Sequence, residues 1–451
     1  MPLDGRPWSA LALWLATASP VAAAAPLATA SPPPEDTTPY QILSGDTLSA
    51  VAQRYLTHRS DASAVKTFNH IRNDRHLRIG STLNIPTALL RTEPLDLGVD
   101  SFSGPVTVTI RGVARPAARA LRLHEGDRVA TGPDAFVSLG FSDGTRMSLP
   151  SQTSVIISAL HHVVLGDAVN RRIRIDRGRS DYDVTPLRHG RDRFEVSTPG
   201  AVAAVRGTEF RVGYDETLNR SVLEVLGGRV AERGASTADG TLVAEGEAAV
   251  RGAEGRILVK LPAAPALSSP GRTQNDEMVV FSIAGPATGG QYHVQLASDA
   301  GFTDLFAETM ADAGVARFSG VKNGALFVRA TRIDDHGVEG LPVVYSFERR
   351  RSTLEAGVAP PPAGARHKPF AFKWRGAGEG QMTYRFVLAR DAALKDRIVD
   401  EAGLTGAEIT VIDLPPGAYY WQVGVTQRAD GKTFGRALKI NSLIIADPKA
   451  K

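Results

Sequence analysis

Side chains with the potential for chemistry concentrate at two points in this chain. His161-His162 sets two imidazoles side by side, and Asp334-Asp335-His336-Gly337 gathers two carboxylates and another imidazole. These are the donor types that hold a divalent metal. Neither run has the spacing of a metal site, because no HExxH or comparable pattern accompanies it. The Asp-Asp-His-Gly run also takes the place that Ala429-Asp430-Gly431 fills in a second copy of the same segment, where Asp and Gly serve a tight turn. The chain has no cysteine, no GxSxG and no phosphate loop, so thiolate, serine-nucleophile and nucleotide chemistry have nothing to stand on. The expectation is a chain with no catalytic residue, no metal and no cofactor.

The most informative stretch runs from Tyr40 to Pro86. A strand over Tyr40–Leu43 leads into Ser44-Gly45-Asp46-Thr47, where Gly45 suits a tight turn and Asp46 or Thr47 can cap a helix. Leu48, Val51, Ala52 and Tyr55 recur with helical period, Val65, Phe68 and Ile71 mark a second short helix, and a strand over Thr82–Ile85 stops at Pro86. Strand, helix, helix, strand with GDTL, the Phe68-Asn69 pair and the LRIGSTLNIP ending resembles the LysM module, which binds N-acetylglucosamine-containing glycans, above all peptidoglycan. That resemblance implies a shallow glycan groove formed by Gly45, Asp46, Thr47 and Leu48 on one side and Leu77, Arg78, Ile79 and Gly80 on the other. Main-chain groups there would meet the N-acetyl amide, with an apolar wall for its methyl. Ile79 and Ser81 depart from the family's usual Pro and Gln around the final glycine. Asn69 reads as a structural hydrogen-bonder.

Residues 1–25 read as a cleaved signal peptide, with Arg6, an apolar core from Trp8 to Ala18 and small residues at Ala22-Ala23-Ala24. No later segment offers an apolar run long enough to span a bilayer, so no transmembrane segment is expected in the mature chain. Export without cysteine, combined with wall binding, points to a periplasmic, cell-wall-associated protein. The formal charge of +4 on 451 residues gives no support to nucleic-acid binding. The length calls for about three or four domains.

A Pro-rich linker is expected over 26–39 and a second linker over Thr87–Phe102. Beyond it helical period disappears. Short strand-like runs recur at Val106–Ile110, Ala135–Phe141, Val155–Ser158, Arg172–Asp176, Phe194–Ser197, Glu209–Val212 and Val222–Val225. Turns are expected at Gly126-Asp127, Asp143-Gly144, Arg177-Gly178 and Gly227-Gly228. This argues an all-β domain over 103–260. The run from Leu121 to Val155 and the stretch FEVSTPGAVAAVRGTEFRV from Phe194 are similar to the FecR domain of iron-uptake signalling regulators. Within Thr198–Phe210, Arg206 and Glu209 are expected to pair across a turn. That family's regulators place a membrane span before the sensor, which this chain does not, so the resemblance implies a β scaffold for another envelope component.

The remainder repeats. YHVQLASDAGFTDLFAE from Tyr292 recurs as YRFVLARDAALKDRIVDE from Tyr384, and Gly324 and Gly337 recur as Gly417 and Gly431. Two β-sandwiches over 263–348 and 355–446 follow, resembling fibronectin type III-like modules. Trp374 and Trp421 are expected in their cores.

The fold class is multidomain and mainly β: a βααβ LysM module over 40–87, an all-β FecR-like domain and two β-sandwich modules. The function implied is a non-enzymatic, peptidoglycan-binding scaffold of the cell envelope with an envelope protein as a second partner. The alternatives are an envelope signalling component and a wall-remodelling enzyme with an unrecognised site.

Overall fold

The computed structural model describes residues 36–75, 77–237, 239–284, 291–312, 314–362 and 366–446. The expected signal peptide and most of the expected Pro-rich linker lie outside the described residues. The chain divides into two compact units, Met1–Leu90 and Arg91–Lys451.

In the first unit, β1 (Thr37–Gln41) pairs antiparallel with β2 (Thr82–Pro86), and between them lie α1 (Leu48–Tyr55) and α2 (Ala62–Phe68). The pairing of Thr37 with Pro86 and Thr38 with Ile85 starts the module three residues before Tyr40, inside the expected linker. Leu48, Val51 and Ala52 on α1, Val65 on α2 and Leu83 and Ile85 on β2 are buried. Phe68 departs from the expected stripe: it closes α2 with its ring exposed.

The second unit begins earlier than expected. Leu97–Ser103, all but its last residue placed by sequence in a linker, is a strand paired with Phe136–Phe141, and its Leu97 and Val99 are core residues. Each strand-like run named above for this domain falls within a strand, except that Ala135 lies one residue ahead of Phe136–Phe141, and the strands from Thr92 to Lys260 close into a barrel around an apolar core. Arg177-Gly178 is not a turn. It is a bend inside the single strand Ala168–Asp183. The first half of that strand pairs with Ser154–Val163 and, in parallel, with Arg193–Ser197; the second half pairs with Glu209–Asp215. Gly178 holds φ +81°, and a Cβ there would lie 2.5 Å from Thr153 Oγ1. Glycine is what lets one strand serve both sheets.

Two β-sandwiches follow. In the first, a three-stranded sheet (Ala266–Ser268, Val279–Ala284, Val315–Phe318) accompanies a four-stranded one (Leu305–Ala311, Gln291–Ala297, Gly324–Ile333, Val343–Arg349). The second has a three-stranded and a five-stranded sheet around Phe372, Trp374, Phe386 and Trp421. Both tryptophans are buried, as core residues should be. The repeated glycines hold matching backbone, with φ 149° and 155° at Gly324 and Gly417 and 74° and 72° at Gly337 and Gly431. Asp334 Oδ1 accepts the N–H groups of His336 and Val338 at 2.9 Å each, so the Asp-Asp-His-Gly run is a turn.

Charge joins the barrel to the first sandwich. Arg211 Nη1 donates to Glu224 Oε2 at 3.2 Å and to the Glu339 carbonyl at 3.1 Å, and Nη2 donates to the Gly340 carbonyl at 2.9 Å. Glu224 also accepts the Glu339 N–H at 2.6 Å and Arg179 Nη2 at 3.3 Å. Arg179 pairs with the Glu339 carboxylate from its other side. His293 stands between Glu339 at 3.2 Å and Glu308 at 2.7 Å. Arg179, Arg211 and His293 thus balance Glu224, Glu339 and Glu308. Burial pushes Glu224 up to about 6. Burial also pushes Glu339 upward, but Arg179, His293 and Arg211 outweigh it and hold the carboxyl well below its usual range. Burial would lower His293, yet the Glu339 and Glu308 carboxylates raise it to about 9.

Two predictions follow from this packing. Because His293 is raised, its stabilisation is fully present below its ordinary value of 6.5 and is lost as pH climbs through about 9. The melting temperature of the full chain therefore falls between pH 6.5 and 9 in calorimetry, and His293→Gln flattens that slope while lowering stability at pH 6.5. The second concerns Gly207, at φ +112°, where a Cβ would lie 2.6 Å from Pro186 Cα. Gly207→Val lowers the melting temperature sharply. Arg206→Ala changes it little, because Arg206 is exposed and donates to the Gly190 carbonyl. The expected Arg206–Glu209 pair does not form: Glu209 is itself exposed at the start of its strand, so no buried carboxylate demands a partner.

Candidate functional site

The loop from β1 to α1 and the loop before β2 are tied together at both ends. The Ile42 N–H donates to the Ser81 carbonyl at 3.0 Å and the Gly80 N–H donates to the Ile42 carbonyl at 2.9 Å, extending the β1–β2 ladder. At the other end the Leu48 N–H donates to the Asp74 carbonyl at 3.0 Å. Gly45 and Gly80 hold φ +84° and +79°, and a Cβ on either would point into open space. Their role is backbone conformation.

The eight expected groove residues divide by what they touch. Asp46 faces inward. Its Oδ2 accepts the Tyr40 hydroxyl at 2.6 Å and the Leu43 N–H at 2.8 Å, and Arg54 Nη1 lies 3.9 Å from Oδ1. The Tyr40 hydrogen bond and the Leu43 N–H hold this carboxylate below its ordinary range, while burial and Asp46 push Tyr40 up to about 12. Thr47, not Asp46, is the helix cap: its Oγ1 accepts the Ala50 N–H at 3.2 Å. Leu48 is buried beneath the loop.

The rest face outward. Gly45, Arg78 and Gly80 are exposed, Leu77 is half-buried, and Ile79 is 64% exposed. Leu43, absent from the expected set, is 56% exposed beside the Ile42–Gly80 bond. Its sequence signal was weak, since an apolar residue closing a strand usually turns inward. Asn69 is structural: its Nδ2 donates to the Val65 and Asn84 carbonyls at 2.9 and 2.7 Å, and its Oδ1 accepts the Asn84 N–H at 2.8 Å. Exposed on these loops are two apolar side chains, Leu43 and Ile79, the backbone of Gly45 and Gly80, and the Arg78 cation. This surface suits a neutral ligand carrying amide and methyl groups.

Elsewhere the histidines are absorbed by structure. His161 Nδ1 lies 2.7 Å from Glu125 Oε2, and His162 pairs with Asp167. Among the described residues no cluster of His, Asp and Glu could hold a metal ion. No described helix is long and apolar enough to cross a membrane.

The inward bonds of Asp46 make it a stability residue. Asp46→Ala lowers the stability of the first unit by about 1–3 kcal/mol, because the part-buried Tyr40 hydroxyl and the Leu43 N–H lose their acceptor. A Tyr40→Phe/Asp46→Ala pair should cost less than the sum of its single changes in urea titration.

Comparison with known proteins agrees with these modules. Residues 40–86 match the family model described as LysM domain, and residues 127–231 match the one described as FecR protein. No curated protein matches the chain. Among solved structures, a candidate anti-sigma factor from Parabacteroides distasonis is similar at 16% identity and TM-score 0.25, over 30% of this chain and 59% of that one. The fibronectin(III)-like modules of Clostridium thermocellum CbhA are similar at 13% identity and TM-score 0.20, over 40% of this chain and 90% of theirs. Three N-terminal domains of the outer capsid protein Hoc of bacteriophage RB49 are similar at 11% identity and TM-score 0.20, over 55% and 95%. At such scores these likenesses carry no argument. The family matches do: this chain carries a LysM domain at residues 40–86 and a FecR domain within its β barrel at residues 127–231.

Proposed function

We propose that the protein is an exported, non-enzymatic scaffold of the cell envelope that is held on peptidoglycan by its LysM domain. The observation that supports this most is the exposed backbone at Gly45 and Gly80, flanked by Leu43 and Ile79, within a matched LysM domain. Contact with the N-acetyl group falls to Gly45, Thr47, Leu77, Arg78, Ile79 and Gly80, while Asp46 and Leu48 position the loop from beneath. Hydrogen bonds from main-chain groups recognise an amide without needing charge, and the two aliphatic side chains shelter its methyl from water.

The FecR match favours a second reading, an envelope signalling component that hands a stimulus to a membrane partner. The Glu224–Glu339 contact supports a barrel that works together with its first sandwich in either role.

Co-sedimentation with purified sacculi tests the main reading. The full chain should pellet with peptidoglycan, and Ile79→Asp, a change at an exposed position, should weaken pelleting roughly tenfold by placing charge on the apolar wall while leaving the melting curve unchanged. If the folded wild-type chain stays in the supernatant at every sacculus concentration, the wall-binding reading is wrong. Cross-linking to an inner-membrane protein, with no pelleting, would favour the signalling component.

A further inference from the structure

A groove of about 650 Å³ opens on the barrel where the turn at Gly337 meets the hairpin between Glu209–Asp215 and Arg220–Gly227. That size admits a short peptide. Three arginines line it, and they differ in what they already hold. Arg179 is committed to Glu224 and Glu339. Arg177 and Arg220 have no carboxylate partner among the described residues. Asp215 stands opposite Arg220 in the hairpin register, yet its Oδ1 accepts the Thr217 and Leu218 N–H groups at 2.8 and 3.0 Å. Arg220 Nε is buried with no hydrogen-bond partner in the protein, as is Ser151 Oγ on another lining residue.

A half-buried guanidinium with uncommitted donors is costly unless an anion completes it. Gly178 and Gly213 also line the groove, so a ligand can approach main chain there. Asp215 and Glu216 bring negative charge to the same lining. The site therefore offers donors for carboxylates and acceptors for an ammonium group, the complement of a short zwitterionic peptide. N-acetylglucosamine has neither charge.

We propose that this groove binds the peptide stems of peptidoglycan through their carboxylates, with Arg177 and Arg220 as the anchoring cations. This rests on the wall-binding reading and deepens it: the polymer whose sugars engage the LysM domain would have its peptides read by the barrel. The Gly337 turn belongs to the site because a Cβ there would lie 2.8 Å from Arg220 Nη2, so the turn's shape sets where that guanidinium can go.

Calorimetric titration of the full chain with two probes separates the two readings. One probe is the sugar-free stem tetrapeptide L-Ala-γ-D-Glu-meso-diaminopimelyl-D-Ala, and the other is an oligomer of N-acetylglucosamine. The tetrapeptide should bind the wild type and weaken with added salt, and Arg220→Ala should lower its affinity roughly tenfold or more. Arg177→Glu should do the same, and because Arg177 is exposed this variant keeps the test valid if Arg220→Ala disturbs the hairpin. Binding of the sugar oligomer should be unchanged in both variants. Absence of tetrapeptide binding, or equal affinity in wild type and both variants, overturns the groove while leaving the glycan reading intact. Tetrapeptide binding lost in the variants, with no binding of the sugar oligomer, supports the groove and sinks the glycan reading.

Discussion

Glu224 and Glu339 occupy one buried cluster, each between the guanidinium groups of Arg179 and Arg211, with His293 and Glu308 completing it from the sandwich side. Each ion in such a place gives up several kcal/mol of hydration, and only the opposite charge across the contact offsets it. Neither partner supplies a neutral set alone. The barrel brings two cations and one carboxylate, and the sandwich brings one cation and two carboxylates. Removing the sandwich would take the Glu339 carboxylate away from both Arg179 and Arg211. The same logic continues to the second sandwich, where buried Arg350 meets Asp430 at 2.6 Å and lies over the Phe434 ring.

That contact also shapes the surface around it. Glu339 follows the Asp334–Val338 turn by one residue, so fixing its main chain against Arg211 and Glu224 fixes the turn whose Gly337 borders the groove. A run of residues that resembles a metal cluster in the sequence becomes, in the fold, the edge of a polar recess. The charges that matter there are the two arginines left outside the balanced cluster.

The LysM domain works on a smaller scale with a different device. The polar side chains of its β1–α1 loop serve the fold. The Asp46 carboxylate and the Thr47 hydroxyl are used internally to hold the β1–α1 loop, and positive-φ glycines keep its surface open. The inward Asp46 carboxylate pins the loop by accepting the Tyr40 hydroxyl and the Leu43 N–H, groups that would lose their acceptor if it turned outward. The two proposed sites therefore differ in chemistry: neutral amide and methyl recognition at one, charged recognition at the other.

Much of the architecture was legible in local pattern. The strand–helix–helix–strand order, the helical stripe of Leu48, Val51 and Ala52, and the alternating strands of the barrel and sandwiches all follow from side-chain period, which is a property of neighbours along the chain. The paired glycines at Gly337 and Gly431 told of a duplicated turn before its φ values were known. Long-range pairing was not legible. Leu97–Ser103 looked like linker because its partner, Phe136–Phe141, lies far along the sequence, and Arg177-Gly178 looked like a turn because a glycine bend and a glycine turn read alike. Arg206 and Glu209 looked paired because they are close in sequence, whereas the arginine and carboxylates that do pair, Arg211 with Glu224 and Glu339, are distributed over two domains. By itself the sequence determined most of the segments that become strands and helices, since that choice rests largely on local period and turn chemistry. Which charges share a buried site was decided only by tertiary structure, because Coulomb energy depends on separation and dielectric, and both are set when the strands pack.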